Sequence, residues 1–120
     1  MEPRATILVV DDDDDIRQVL AMVLDEAGFR VVTAANGREA LERLRGDPRP
    51  DVILLDLMMP EMDGYQFRAE QQRDPALRAI PTLIVTAGTV TPRVEELGAE
   101  AILRKPVSLR RLVDTIRRFC

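Results

Sequence analysis

The chain has 120 residues, of which 46% are apolar and 32% charged, a balance typical of one folded globular domain. The net charge of −4 argues against a nucleic-acid surface, and no apolar run approaches the ~20 residues of a membrane span. The absence of histidine removes the commonest general base and the commonest transition-metal ligand.

The termini and the cysteine content indicate a cytoplasmic location. Cys120 is the only cysteine and cannot form an internal disulfide, which fits a reducing compartment. Residues 1–4 lead directly into an apolar segment and lack the pattern of a signal peptide. We expect residues 1–120 to form a single domain, either a whole protein or a domain cut from a longer chain.

The first predicted unit is a strand followed by a helix. Thr6 to Val10 is a continuous apolar run rich in β-branched residues, which predicts a buried strand. Five aspartates, Asp11 to Asp15, come next, and Asp13 or Asp14 is placed to cap a helix. Gly28 provides a left-handed stop. Apolar residues recur between these points at helical spacing: Ile16, Val19, Leu20, Val23, Leu24 and Ala27.

The second unit is a strand nearer the sheet edge and a short helix. Phe29 to Ala34 predicts a strand, and Arg30 interrupts its apolar pattern. Asn36-Gly37 turns into a helix from Arg38 to Arg45, and Gly46 to Pro50 form a loop. Three helical residues are expected to face inward: Ala40, Leu41 and Leu44.

The third unit places a carboxylate at a strand end. The apolar run Val52 to Leu55 predicts a buried strand that ends at Asp56, and turn signals follow it at Met59-Pro60 and Asp63-Gly64. Ligands of open parallel sheets bind beyond the carboxyl ends of the strands, so Asp56 is a candidate site residue. A weaker helix is predicted from Tyr65 to Arg73.

The last part of the chain predicts two more strand–helix units. Ile80 to Thr86 forms the fourth strand, and Thr91-Pro92 begins a brief helix that Gly98 ends. Ala101 to Leu103 forms a fifth strand, and Ser108 caps the last helix. That helix is expected to turn four apolar residues inward: Leu109, Leu112, Val113 and Ile116. Five alternations of strand and helix predict an α/β fold, a parallel sheet with helices on both faces.

Polar residues of different chemistry follow several of these strands. Because parallel strands end at one edge of the sheet, we expect Asp11, Asp12, Asp56, Thr86 and Lys105 to converge there. Crowded carboxylates repel one another and need a cation. Oxygen ligands without histidine or cysteine favour Mg²⁺, or Mn²⁺, over zinc. Such a site beside a hydroxyl and an ammonium suits a dianionic group such as phosphoryl.

Four motifs in this order resemble the receiver domain of two-component response regulators, over nearly the whole chain. They are Val9-Val10-Asp11-Asp12, Asp56-Leu57-Met58-Met59-Pro60 with Met62-Asp63-Gly64, Val85-Thr86-Ala87, and Lys105-Pro106. The resemblance implies a flavodoxin-like, doubly wound sheet with strand order 2-1-3-4-5. It also implies a phosphorylation-dependent signalling switch whose downstream target the sequence does not name.

The resemblance assigns a role to each motif residue. Asp56 would take a phosphoryl group from a phosphohistidine on a sensor histidine kinase or phosphotransfer protein. Mg²⁺ would be bound directly by Asp12 and mainly through water by Asp11. Thr86 and Lys105 would contact phosphoryl oxygens, and Lys105 would also pair with Asp56.

The resemblance also concerns the metal site and the reaction. Met58 would offer Mg²⁺ only its backbone carbonyl. A domain of this kind is not a conventional enzyme, but it would catalyse its own phosphorylation and slow dephosphorylation. A carboxylate is a competent nucleophile when a metal neutralises the phosphoryl oxygens.

Three other interpretations were weighed. A calcium-binding EF-hand loop starting at Asp11 fails, because Ile16 stands where glycine is needed and Met22 where glutamate is needed. A haloacid-dehalogenase-type phosphatase stays open, because its Asp-x-Asp motif is formally present at Asp11 and Asp13. A receiver-like module that is never phosphorylated usually lacks one of the key residues, and none is missing here.

Two departures from the resemblance concern output. Thr86 and Lys105 lie nineteen positions apart, about three fewer than in typical receivers, so the fourth helix or the loop before it is shortened. Ile102 occupies a position that is often Tyr or Phe in receivers. We therefore expect the signal to pass through the Thr86 loop and the fourth helix rather than through an aromatic rotamer switch.

Overall fold

The computed structural model describes residues 4–57, 63–87 and 90–120, and its centre is a five-stranded parallel sheet. Every neighbouring pair of strands runs parallel, and the order β2-β1-β3-β4-β5 confirms the predicted flavodoxin-like fold class. The strands are β1 (Thr6–Val10), β2 (Arg30–Ala34), β3 (Val52–Leu55), β4 (Thr82–Thr86) and β5 (Ala101–Arg104).

A helix follows each strand, and each helix begins at a polar cap. The helices are α1 (Asp14–Glu26), α2 (Gly37–Leu44), α3 (Gly64–Arg73), α4 (Pro92–Glu95) and α5 (Leu109–Arg117). The capping side chains accept hydrogen bonds from the first turn of each helix. They are Asp13, Asn36, Asp63, Thr91 and Ser108.

Alternate residues along the strands build a separate apolar core on each face of the sheet. One face carries Leu8, Val10, Ile53, Leu55 and Ile84, which pack against α2, α3 and α4. The other carries Ile7, Val9, Val52, Leu54, Leu83 and Leu103, which pack against α1 and α5. The central strands are buried on both faces, as their continuous apolar runs predict.

Most predicted boundaries agree with the structure to within two residues. The largest difference is at β4, which begins at Thr82 because Pro81 has no N–H to donate to the ladder. The brief fourth helix and its stop are confirmed, and Gly98 adopts a φ of +65° after α4. Within the described residues, no helix combines the length and apolar character that crossing a membrane requires.

Leu109 was wrongly predicted to face the core, and Val19, a member of the predicted apolar repeat of α1, is also exposed. Val19 on α1 is 50% exposed and Leu109 on α5 is 42% exposed. Both lie beside a groove between the two helices instead of pointing at the sheet. The apolar stripe of each helix is wider than the strip of sheet that the helix covers, so the outer members of the stripe reach solvent.

Candidate functional site

Three carboxylates lie together beyond the C-terminal ends of β1 and β3. One oxygen from each of Asp11, Asp12 and Asp56 lies within 4.8 Å of the others. The strand order reverses between β1 and β3, and open α/β sheets bind their ligands at such a reversal. Asp11 is buried, Asp56 half-buried and Asp12 exposed, so the cluster opens to solvent on the side of Asp12.

Backbone hydrogen bonds tie two of these residues to neighbouring strands. The N–H of Asp56 donates to the carbonyl of Val10 at 3.0 Å, and the N–H of Asp11 donates to the carbonyl of Ala34 at 3.1 Å. These bonds extend the ladder one residue beyond the strand ends. The two carboxylates are therefore carried by fixed backbone rather than by a free loop.

Lys105 brings the only lysine of the chain into the carboxylate cluster. Its Nζ lies 3.4 Å from Oδ2 of Asp11 and 3.6 Å from Oδ2 of Asp56. Its own N–H donates to the carbonyl of Thr86 at 2.8 Å, which fixes the start of the β5–α5 connection. The ammonium reduces the repulsion between the two carboxylates, and its side chain is only 27% exposed.

Thr86 is the buried last residue of β4. Leu55 pairs with Ile84 in the register of β3 and β4. Thr86 therefore lies two residues beyond the level of Leu55, at the sheet edge to which Asp56 also belongs. This placement agrees with the predicted convergence of Thr86 and Asp56.

Gly64 holds the start of α3 against the backbone that follows Asp56. A Cβ at position 64 would lie 2.6 Å from Cα of Leu57 and 2.8 Å from the carbonyl oxygen of Asp56, so only glycine fits. The N–H of Gly64 also donates to the carbonyl of Leu57 at 2.9 Å. Asp63, expected to serve the turn, forms a capping box with Gln66. The predicted carbonyl ligand Met58 lies outside the described residues.

The geometry of the three carboxylates fits one small hard cation. One oxygen of each carboxylate lies within 4.8 Å of the others, so side-chain rotation would bring the three acids around one ion, directly or through water. The donor set consists of oxygen atoms alone, which suits Mg²⁺ or Mn²⁺.

The next three aspartates serve α1, as predicted. Oδ1 of Asp13 accepts from the N–H of Asp15 at 2.9 Å and from the N–H of Ile16 at 3.1 Å. Asp14 forms an ion pair with Arg17. Because the Asp13 carboxylate is committed to the helix cap, the second acid of the Asp-x-Asp motif is not available to a phosphatase site.

An apolar groove beside Lys105 was missed by the sequence analysis. Its volume is about 520 Å³, and it lies between α1 and the segment from Lys105 to Leu112. The residues that form its walls include Ile16, Val19, Leu20, Val107, Leu109 and Leu112. The available sequence signal was the width of the apolar stripe on α1, which exceeds what one sheet contact requires.

Fold and site together define an α/β protein with an acidic pocket and a lysine at the switch point of its sheet. The chain matches the family model for the response regulator receiver domain over residues 7–117. It belongs to this family, the receiver domains of two-component response regulators. The family match and the capping role of Asp13 set aside the phosphatase alternative.

Relatives of two lengths resemble the chain. The polar-differentiation response regulator DivK of Brucella anthropi is 31% identical over 117 residues, covering 95% of this chain and 94% of that protein. The phosphate regulon transcriptional regulatory protein PhoB of Escherichia coli is 40% identical over 114 residues, covering 92% of this chain but 49% of PhoB. The chain thus spans about half the length of several curated relatives, including 46% of a probable transcriptional regulator ycf27 of Guillardia theta.

Solved structures agree with the fold. The chemotaxis response regulator CheY4 of Vibrio cholerae has a TM-score of 0.88 and 35% sequence identity. The comparison covers 98% of this chain and 100% of that one. A response regulator receiver protein of Pseudomonas putida has a TM-score of 0.90 at 26% identity, covering 98% of this chain and 99% of that one.

Proposed function

We propose that this domain is a signalling switch in which Asp56 accepts a phosphoryl group from a phosphohistidine on a histidine kinase or phosphotransfer protein. The observation that carries the proposal is the convergence of Asp11, Asp12, Asp56 and Lys105 at one edge of the sheet. These 120 residues contain no histidine, so the phosphohistidine lies outside this domain.

In the proposed transfer, a carboxylate oxygen of Asp56 forms a bond to phosphorus while the bond between phosphorus and the imidazole nitrogen breaks. The electron pair of the broken bond stays on the imidazole. Mg²⁺ held by Asp11, Asp12 and Asp56 would neutralise charge on the phosphoryl oxygens. Lys105 would turn from the Asp56 carboxylate to a phosphoryl oxygen, and the Thr86 hydroxyl would donate to another.

Dephosphorylation is a separate step, in which water attacks phosphorus, the bond to the Asp56 oxygen breaks and inorganic phosphate leaves. The domain would therefore catalyse its own phosphorylation and its slow dephosphorylation. A separate protein, or an output domain attached to this one, would read the phosphorylated state. We also propose a cytoplasmic location, because the single cysteine fits a reducing compartment.

The experiment that tests the proposal is phosphorylation by acetyl phosphate with Mg²⁺, followed by intact mass. Wild type should gain one phosphoryl group, and chelation of the metal should prevent the gain. Asp56→Asn should gain none. The matched control Asp15→Asn, a change to an exposed acid in the first turn of α1, should behave as wild type. An undiminished adduct on Asp56→Asn would refute the assignment.

The apolar groove suggests where the phosphohistidine donor docks. The groove reaches Lys105, so a helix seated in it would present a histidine to the pocket that contains Asp56. Val19 and Leu109 line the groove, and both are exposed. An apolar helix face of the donor would cover both.

We further propose that output depends on the Thr86 loop and α4. Ile102 is half-buried on the edge strand β5, pairs with Ile84 and packs against the core on the α4 side. It is β-branched and stiff at χ1, so it cannot swing as an aromatic ring does. Amide NMR with the phosphoryl mimic beryllofluoride tests this. The response of the Thr86 loop and α4 should be little altered by Ile102→Ala, and loss of that response would contradict the proposal.

A further inference from the structure

Arg68 is an arginine buried inside the domain, outside the four motifs of the acidic pocket. It lies on α3 and is 2% exposed. Its Nε donates to the carbonyl of Leu97 at 2.9 Å, and its Nη2 donates to the carbonyl of Gly98 at 3.0 Å. Its Nη1 donates to Oε1 of Gln71 at 2.7 Å and to the hydroxyl oxygen of Thr82 at 2.9 Å. One side chain therefore joins α3, the first residue of β4 and the end of α4.

The supporting shell is also buried and hydrogen-bonded. Gln71 is fully buried, and its Nε2 donates to the carbonyls of Leu77 at 3.1 Å and Ile80 at 3.2 Å. The hydroxyl of Thr82 lies 3.2 Å from Oε1 of Gln71, and the N–H of Thr82 donates to Oε2 of Glu100 at 2.6 Å. These bonds hold the guanidinium in one place, so its contacts with the end of α4 are fixed in direction.

A cation in this position stabilises α4 in two ways. The C-terminal end of a helix carries partial negative charge, and the carbonyls of the turn that follows it need donors from elsewhere in the fold. Here Leu97 and Gly98 form the turn that follows α4, and Arg68 supplies both carbonyls with a donor. A helix of four residues is not stable by itself, so its position depends on such tertiary contacts. Burial lowers the pKa of Arg68, and the negative charge of Glu100 opposes that shift.

A second contact between the same helices has a different character. The guanidinium of Arg93, in α4, lies 3.8 Å from the ring centre of Tyr65, in α3. Tyr65 and Arg68 are three residues apart and so share a face of α3. Arg93 is exposed, and a cation stacked on a ring tolerates sliding. The contact at the start of α4 can therefore shift, whereas the four directed hydrogen bonds of Arg68 cannot shift without breaking.

We propose that Arg68 is the fixed anchor of α4, so that the switching movement ends at Leu97 instead of passing into β5. The proposal rests on the proposed function for the movement itself, which begins at Thr86. The anchor also explains how a receiver with a shortened fourth helix keeps that helix in place. The helix pivots about its C-terminal turn, and its N-terminal end moves with the Thr86 loop.

The test combines amide hydrogen exchange with beryllofluoride titration in the whole domain. Arg68→Met removes every donor while keeping an unbranched side chain. Arg68→Lys keeps the charge but replaces the planar guanidinium, with its several donor nitrogens, by a single ammonium. Arg78→Met, a change to an exposed arginine, is the matched control. The N–H groups of Leu97 and Gly98 report on the anchor because they donate to the carbonyls of Val94 and Glu95.

In wild type and Arg78→Met, beryllofluoride should shift the amides of residues 90–94 and leave residues 97–99 unchanged. In Arg68→Met, exchange at Leu97 and Gly98 should rise at least about tenfold without beryllofluoride, and the shifts should extend through residue 99. Arg68→Lys should show the same change to a smaller degree. If Arg68→Met does not fold, exchange and shifts in Arg68→Lys test whether Arg68 anchors the turn.

Two results would overturn the anchor. One is a wild-type response at residues 97–99 as large as that at residues 90–94, and the other is unchanged exchange in both Arg68 variants. Failure of the proposed function looks different, because beryllofluoride would then leave the amides of Asp11, Asp12 and Asp56 unchanged in every protein. The exchange measurement without beryllofluoride still decides whether Arg68 holds the turn.

Discussion

Two regions of the domain bury charged side chains but balance the charge differently. The acidic pocket consists of Asp11, Asp12, Asp56 and Lys105. The Arg68 corner consists of Arg68 and its hydrogen-bond partners Gln71, Thr82, Leu97 and Gly98. At the pocket, three carboxylates and one ammonium leave an excess of two negative charges. At the corner, one guanidinium donates to four neutral acceptors, and no buried side-chain N or O among the described residues lacks a hydrogen-bond partner. The pocket therefore has excess negative charge that a bound cation can neutralise, whereas the corner has no such excess.

This difference distinguishes a ligand-binding site, the pocket, from a structural contact, the corner. Like charges held close together raise the free energy of the ligand-free state and so favour binding of a counterion. A buried cation that already donates a hydrogen bond from each of its nitrogens gains little from a ligand and resists movement. We therefore expect variants at the pocket to respond to Mg²⁺ and variants at the corner to ignore it.

The largest effect on stability is expected at the corner. Arg68→Met leaves the carbonyls of Leu97 and Gly98 without their donor, along with the Thr82 hydroxyl and Gln71. The free energy of unfolding should fall by about 3 kcal/mol. Urea denaturation with and without Mg²⁺ measures this, and Mg²⁺ should stabilise variant and wild type equally. A loss as small as that of Arg78→Met would contradict the reading of the corner.

A smaller loss is expected for Lys105→Met. Without the ammonium, the repulsion between Asp11 and Asp56 increases, and the free energy of unfolding of the metal-free protein should fall by about 1–2 kcal/mol. Mg²⁺ should restore part of that loss, because a cation at the same carboxylates replaces the missing charge. The check is the same denaturation series. If Mg²⁺ stabilises Lys105→Met less than wild type, the carboxylates do not bind the ion as proposed.

The pocket could be predicted from the sequence and the corner could not, for a physical reason. Strand ends in a parallel sheet meet at one edge, so the residues after each apolar run predict a site without any side-chain contact being known. Arg68 stands in a polar stretch of α3, where an arginine usually faces solvent. It is buried against the turn that follows α4, which brings two carbonyls within its reach, and that approach is tertiary.

The same reasoning explains why Leu109, predicted to face inward, and Val19 are both exposed. Helical periodicity gives the direction of Val19 and Leu109 relative to the helix axis, but not which part of the helix surface the sheet covers. Both side chains face the groove between α1 and α5 rather than the sheet. Strand order likewise required the family resemblance, because alternation of strands and helices alone is compatible with several orders.

A still smaller effect, of opposite sign, is expected for Asp12→Ala. Removing the most exposed of the three carboxylates relieves repulsion, so the metal-free protein should keep its stability or gain up to about 1 kcal/mol. Wild type at a Mg²⁺ concentration of a hundred times Kd should gain about 2.7 kcal/mol, and Asp12→Ala should gain far less. Thermal melts decide this, and equal Mg²⁺-induced shifts in the two proteins would refute the metal assignment.

The smallest effect on stability is expected at the groove, where the consequence should be functional. Val19 and Leu109 are exposed, so Val19→Glu and Leu109→Glu should each change the free energy of unfolding by less than about 0.5 kcal/mol. Both should slow phosphotransfer from a phosphorylated histidine phosphotransfer protein about tenfold, equivalent to about 1.4 kcal/mol of lost docking energy. Acetyl phosphate needs no docking surface, so its rate should be unchanged.

The control is Gln18→Glu, which adds the same charge at the neighbouring exposed position of α1, outside the groove. It should behave as wild type with both donors, because the apolar contact is intact. Equal slowing with acetyl phosphate and with the protein donor would instead locate the damage in the pocket. An unchanged rate with the protein donor would show that the donor approaches Asp56 from another side, since a buried glutamate without a partner could not be tolerated in the proposed contact.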